Sequence, residues 1–191
     1  MRMTAWAHRQ PTGLSRRMKA TACKAIVIVA MSSAGATVAA PGGSAGEYQA
    51  PDFRTTILAG NSQGASFQLN QFRGQVVYLD FWASWCVPCR LSFPALDQLH
   101  KKYRRDGFEV VAVNKDVVAA DAGRFLARIP VGFTLVVDPD DKIVRAYQVK
   151  SMPSGYLLDR KGRVRHVHEG FRSNSAEQIE AQIIELLKEP S

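Results

Sequence analysis

VVYLDFWASWCVPCR, residues 76–90, joins a run of strand-forming apolar residues to two cysteines three positions apart. Residues 76–81 are nearly continuous in hydrophobicity, the pattern of a central strand covered on both faces rather than of a strand with one wet side. After the cysteines, Leu91, Ala95, Leu96, Leu99 and Tyr103 recur at helical spacing, which predicts a helix with that face turned inward and Gly107 as its stop. FEVVAVN, residues 108–114, reads as a second buried strand. Strand, helix and strand in that order predict a right-handed parallel unit and an α/β fold. The pair Cys86 and Cys89 then falls where the first strand gives way to the helix.

The flanks extend this unit on both sides. DFRTTIL and ASFQLNQF around the turn-rich AGNSQG predict an edge hairpin. Downstream, AADAGRFLARI predicts a helix and FTLVVD a third strand ending in the turn PDD. GYLLD and RVRHVHEG are joined through DRKG, a hairpin turn with glycine where positive φ is needed. The closing NSAEQIEAQIIELLKE places Ile179, Ile183, Leu186 and Leu187 on one helical face behind an Asn174 or Ser175 cap. No internal repeat is present.

A chain of 191 residues, 46% hydrophobic and 22% charged, is expected to hold one domain with an extension. Residues 1–39 carry six Lys and Arg before the apolar AIVIVAM and the small-residue run SSAGATVAA, the order of a secretory signal. A cut after Ala39 is expected, with a retained membrane anchor as the alternative; Met1, Met3 and Met18 all serve as starts, and Ser15, Arg16 and Arg17 make a weak twin-arginine match. Residues 40–50, rich in Gly, Ala, Ser and Pro, are expected to form a flexible link, and residues 51–191 the folded domain. All 17 acids but only 19 of the 25 bases lie beyond the cut, so the formal charge of +8 drops to +2 in the exported part. That excludes any need for a nucleic-acid partner. The cut also removes Cys23, leaving Cys86 and Cys89 alone in a periplasmic compartment where disulfides persist. A monomer is expected.

Four chemistries use a C-x-x-C pair. Haem attachment needs His after the second cysteine, where Arg90 stands. A zinc site wants two further ligands at similar spacing. A structural staple across so short a loop removes little chain entropy. Dithiol–disulfide exchange is favoured by position: at a helix start, free N–H groups and the helix dipole stabilise a thiolate on Cys86, and Cys89, one turn on, can resolve a mixed disulfide. Asp80 interrupts the apolar run six residues before Cys86. Buried, its carboxyl would be pushed up in pKa and could move protons to and from Cys89; at the strand's end it could instead turn to water.

DFWASWCVPC, Pro94 and SMPSGYLLDRKGRV together resemble the active-site segment, the helix proline and the cis-proline hairpin of the thioredoxin superfamily. The export signal, the leading hairpin and the extra helix and strand near residues 117–137 make the chain most similar to the TlpA-like branch, with its DsbE and ResA types. The resemblance implies a thioredoxin fold, a central mixed β-sheet flanked by helices with an N-terminal β-hairpin and a central helix–strand insertion. It implies a protein-disulfide reductase with Cys86, Cys89 and Asp80 catalytic, and with Trp85, Val87, Pro88, Met152 and Pro153 contacting substrate. Exported disulfide proteins are the expected substrates, cytochrome c maturation one expected setting, and a membrane electron donor the expected source of reducing equivalents. No metal or cofactor is expected. Ser92 stands where many members of the branch carry glutamate, and Asp80 where they carry Asn. The alternative is a copper chaperone using Cys86, Cys89 and one of His166 and His168, which alternate along a strand.

Overall fold

The computed structural model describes residues 48–190; the expected export signal and the link up to residue 47 lie outside them. A six-stranded mixed sheet has the order β1-β8-β7-β4-β5-β6, and a two-stranded sheet sits beside it. In chain order the elements are β1 (Tyr48–Gln49), β2 (Arg54–Thr56), β3 (Ser66–Gln68), β4 (Val76–Trp82), α1 (Cys89–Tyr103), β5 (Phe108–Asn114), α2 (Ala119–Arg128), β6 (Thr134–Val137), α3 (Lys142–Ala146), β7 (Ser154–Leu158), β8 (Arg163–Glu169) and α4 (Ser175–Leu187).

β4 is the hub. All seven of its residues are buried, and it pairs parallel with β5 and antiparallel with β7. Its even-numbered Val76, Tyr78 and Trp82 belong to one core with Phe93, Leu96 and Leu99 of α1, Phe125 of α2 and Ile179, Ile183 and Leu186 of α4. Its odd-numbered Val77, Leu79 and Phe81 belong to a second core with Phe67, Ile143, Val144 and Tyr147. This is the period-2 alternation of a strand with no wet face. The expected α/β sandwich is therefore present, with α1, α2 and α4 on one side and α3 and the hairpin on the other.

Four details differ from expectation. The folded region begins before Pro51, because Tyr48 and Gln49 pair with Val164 and Arg163 of β8 and Ala50 is buried; the Gly/Ala composition of the preceding link hides a short edge strand. The inward face of α1 is Cys89, Phe93, Leu96, Leu99 and His100, while Leu91 is 66% exposed: counting helical spacing from Leu91 picked a register that left Phe93 out. Only Ser66–Gln68 of the second hairpin segment is strand, and Leu69–Phe72 coils into a 3-10 turn that buries Leu69. α4 carries no side-chain cap; Ser175 Oγ instead accepts the N–H of Arg172.

Leu96 is 1% exposed inside the α1–sheet core, so Leu96→Ala is expected to cost about 2–5 kcal/mol of stability. Leu91→Ala, on the opposite face, is expected to stay within about 0.5 kcal/mol. Chemical denaturation of the two variants checks the register, and equal losses would contradict it.

Candidate active site

Where β4 ends, residues 83–88 make a tight turn closed by the Cys86 N–H donating to Ala83 O at 3.0 Å. α1 begins at Cys89, with Pro88 in the capping position and no side-chain oxygen capping it. Cys86 thus precedes the helix instead of sitting in its first turn. Its sulfur fills the capping role, accepting the Cys89 N–H at 3.2 Å. Cys86 and Cys89 are joined by a disulfide with Cα atoms 5.3 Å apart. Once reduced, a Cys86 thiolate would keep that donor and the positive end of α1, both of which favour charge on this sulfur over the other.

Strand alternation puts Asp80 on the same face as Tyr78 and Trp82, the face covered by α1 and by the two cysteines at its start. It does not turn to water: Asp80 is 1% exposed, and Oδ2 has no hydrogen-bond partner among the described residues. Burial raises the carboxyl well above the ordinary aspartate range. Tyr78, buried beside it, is pushed up by desolvation first and by Asp80 second. A carboxyl in this state is favoured in its neutral, protonated form.

The turn before Cys86 is anchored by a network that sequence reasoning missed. Asp116 accepts the Ser84 N–H at 3.1 and 3.0 Å and the Ser84 hydroxyl at 3.0 Å. Asn114, at the end of β5, donates to the same carboxylate at 3.0 Å and accepts the Asp116 N–H at 3.2 Å. Because β4 and β5 are parallel and in register, Trp82 beside Asn114, their carboxyl ends deliver both loops to one place. The available signal was positional: polar NKD follows an apolar strand at the end where α/β sites gather.

Across the sheet, Phe81 pairs with Ser154, which brings Met152 and Pro153 to the end of β4 where the disulfide lies. The Met152–Pro153 bond is cis, as the resemblance implied. Pro153 O is taken by the Gly170 N–H at 2.8 Å, whereas the Met152 main chain makes no backbone bond among the described residues. Trp85, Val87 and Leu91 stand exposed around Cys86, at 64, 65 and 66%. Pro88 caps the helix between them, and Trp82 is core, packed on Phe93 with ring centroids 4.7 Å apart. Ser92 is buried, its hydroxyl donating to Cys89 O at 3.3 Å; no carboxylate enters at that position.

The histidines of β8 serve another purpose. His168 stacks on Tyr78 at 5.8 Å and pairs with Gln182 of α4 at 2.8 Å, and burial lowers its pKa. His166 is shifted the same way, chiefly by burial. Among the described residues no group of three or more His, Cys, Asp or Glu is placed to hold a metal ion. The copper alternative therefore lacks an imidazole aimed at the sulfurs.

Residues 47–167 match the AhpC/TSA family. The thiol-disulfide oxidoreductase ResA of Geobacillus kaustophilus is 34% identical over 121 residues, 63% of this chain and 67% of that protein. ResA of Bacillus thuringiensis subsp. konkukian is 30% identical over 140 residues, 73% and 75% of the two chains. Among solved structures, a Chlorobium tepidum protein assigned as thiol:disulfide interchange protein DsbE is 45% identical with a TM-score of 0.69, covering 74% of this chain and 96% of its own. The exposed lipoprotein thioredoxin of Streptococcus pneumoniae is 29% identical with a TM-score of 0.61, covering 71% and 100%. The chain belongs to the AhpC/TSA family, within its ResA- and DsbE-type thiol-disulfide oxidoreductases, and is a thiol-disulfide oxidoreductase with a thioredoxin fold.

The raised carboxyl has a stability consequence of definite sign. Above about pH 4 the unfolded chain loses the Asp80 proton that the folded protein keeps, so folding stability falls as pH rises from there toward the raised value. In oxidised protein, Asp80→Asn is expected to be stabilised relative to the parent by a margin that grows with pH, at up to about 1.4 kcal/mol per unit. Thermal unfolding between pH 4 and pH 8 measures it; a constant margin would mean that Asp80 titrates normally.

Proposed function

We propose that this oxidoreductase reduces disulfides in proteins outside the cytoplasm, with Cys86 as nucleophile, Cys89 as resolving thiol and Asp80 as the proton carrier. The observation that carries the assignment is the Cys89 N–H on Cys86 Sγ, at the amino end of α1, with the Asp80 carboxyl buried on the same face. The Cys86 thiolate attacks one sulfur of a substrate disulfide and the other leaves as thiolate. Asp80, in the fraction that is ionised, takes the Cys89 proton, and the Cys89 thiolate attacks Cys86 Sγ. The substrate departs as two thiolates, one taking the proton that Asp80 has collected and the other a proton from solvent, and the protein retains the Cys86–Cys89 disulfide. Two electrons from a dithiol donor at the membrane restore the reduced enzyme.

Substrate would approach over the apolar rim of Trp85, Val87 and Leu91, with Pro88 beneath, and an extended segment would pair with the open main chain of Met152 beside Pro153. Export is supported by the signal-like order of residues 1–39; on this reading the enzyme works in the periplasm, where cytochrome c maturation is one pathway that consumes such reducing power. The reducing direction is supported by Val87 and Pro88 between the cysteines: no cation there stabilises the thiolate to the extreme of a strong oxidant, and Arg90 is exposed to solvent.

Two measurements test this reading. Cys89→Ser is expected to accumulate mixed disulfides between Cys86 and exported proteins, identifiable by mass spectrometry, whereas Cys86→Ser should trap none; the reverse would exchange the two roles. Equilibration with glutathione is expected to give a potential near that of thioredoxin, about −270 mV, and a value above about −180 mV would overturn the reductase direction.

A further inference from the structure

Beside the exposed indole of Trp85 the surface falls into a cleft of about 280 Å³ whose opposite wall is α2. Asp121, Arg124, Phe125 and Arg128 fall at positions i, i+3, i+4 and i+7 of that helix, a single stripe. Phe125 turns into the core, 4.9 Å from the Trp82 ring and 5.1 Å from Phe93. Anchored there, the helix holds its two arginines at the cleft, and Arg90 of α1 approaches from the cysteine side. Three guanidinium groups therefore face one carboxylate. Asp121 is engaged by Arg124 as an i,i+3 pair, while Arg90 and Arg128 have no hydrogen bond or ion pair among the described residues.

We infer that this cleft receives acidic side chains of the substrate protein, carried a few residues from the cysteine that bonds to Cys86. Guanidinium forks match carboxylates in geometry as well as charge. The cleft borders Trp85, the residue adjoining Cys86, and an extended chain advances about 3.3 Å per residue, so a segment held at the sulfur reaches it within a few residues. Acidic flanks then steer encounter and fix register along the apolar rim. The inference rests on the proposed attack of Cys86 on protein disulfides and adds the charge of the partner.

The test uses the reduced full-length exported protein and three disulfide peptides of identical core, flanked by Asp, Ser or Lys. Each exposed Arg–carboxylate pair contributes about 1.4- to 5-fold, so at low salt kcat/KM is expected to rank Asp over Ser over Lys, with Asp exceeding Lys about threefold or more. The gap should close toward 0.5 M salt, where screening shortens. In the double variant Arg124→Glu/Arg128→Glu the Asp-to-Lys ratio should drop below one, with far-ultraviolet circular dichroism confirming the fold; Arg128→Ala alone should lower the ratio without inverting it. Equal rates for the three peptides, or a ratio unmoved by the variants, would overturn the cleft assignment, as would millimolar phosphate slowing all three peptides alike, the mark of a small-anion site. Failure to reduce even the Ser-flanked peptide would overturn the reductase reading instead.

Discussion

Strand β4 has no face in contact with water, and the placement of the reactive groups follows from that constraint. A strand covered on both sides sends alternate residues into two separate cores, Val77, Leu79 and Phe81 into one and Val76, Tyr78 and Trp82 into the other. Asp80 lies in the second row by parity alone. A carboxyl there cannot reach solvent, has no donor for Oδ2 among the described residues and is driven toward its neutral form. Its burial costs stability, and the cost is located beneath α1 and the cysteine turn that leads into it.

The same strand brings three loops to one end. β5 runs parallel to it and β7 antiparallel, so the carboxyl ends of β4 and β5 and the amino end of β7 meet. From β4 comes the cysteine turn, from β5 the Asn114 and Asp116 anchor, and into β7 the Met152–Pro153 segment. The anchor has a mechanical meaning. Asp116 holds Ser84 by main chain and side chain, which leaves the turn ahead of Cys86 little freedom while Trp85 and Val87 stay outward. Apolar side chains held rigidly in water cost little further entropy when a partner covers them.

The inserted helix α2 adds the third component of this surface. Phe125 belongs to the core, and the polar residues on the same stripe belong to the rim of the cysteine turn.

Much of this was legible in the chain. Periodicity in residues 76–81 and 108–114 reflects a local rule, that a doubly covered strand is apolar throughout, and the C-x-x-C spacing reflects another, that two cysteines three positions apart at a strand-to-helix turn lie close enough to pair. The protonation of Asp80 was open in the sequence, since burial is a property of what packs above a residue and not of its neighbours in the chain. The register of α1 misled for a related reason: Leu91 is apolar like Leu96, and only the position of the turn before Cys89 rotates Phe93 inward and Leu91 outward. Asp116 and Ser84 lie 32 residues apart, and the three arginines of the cleft come from two helices. Contacts between distant segments are selected by the parallel pairing of β4 and β5 and by the packing of α2 on Trp82, so tertiary structure alone assembled them.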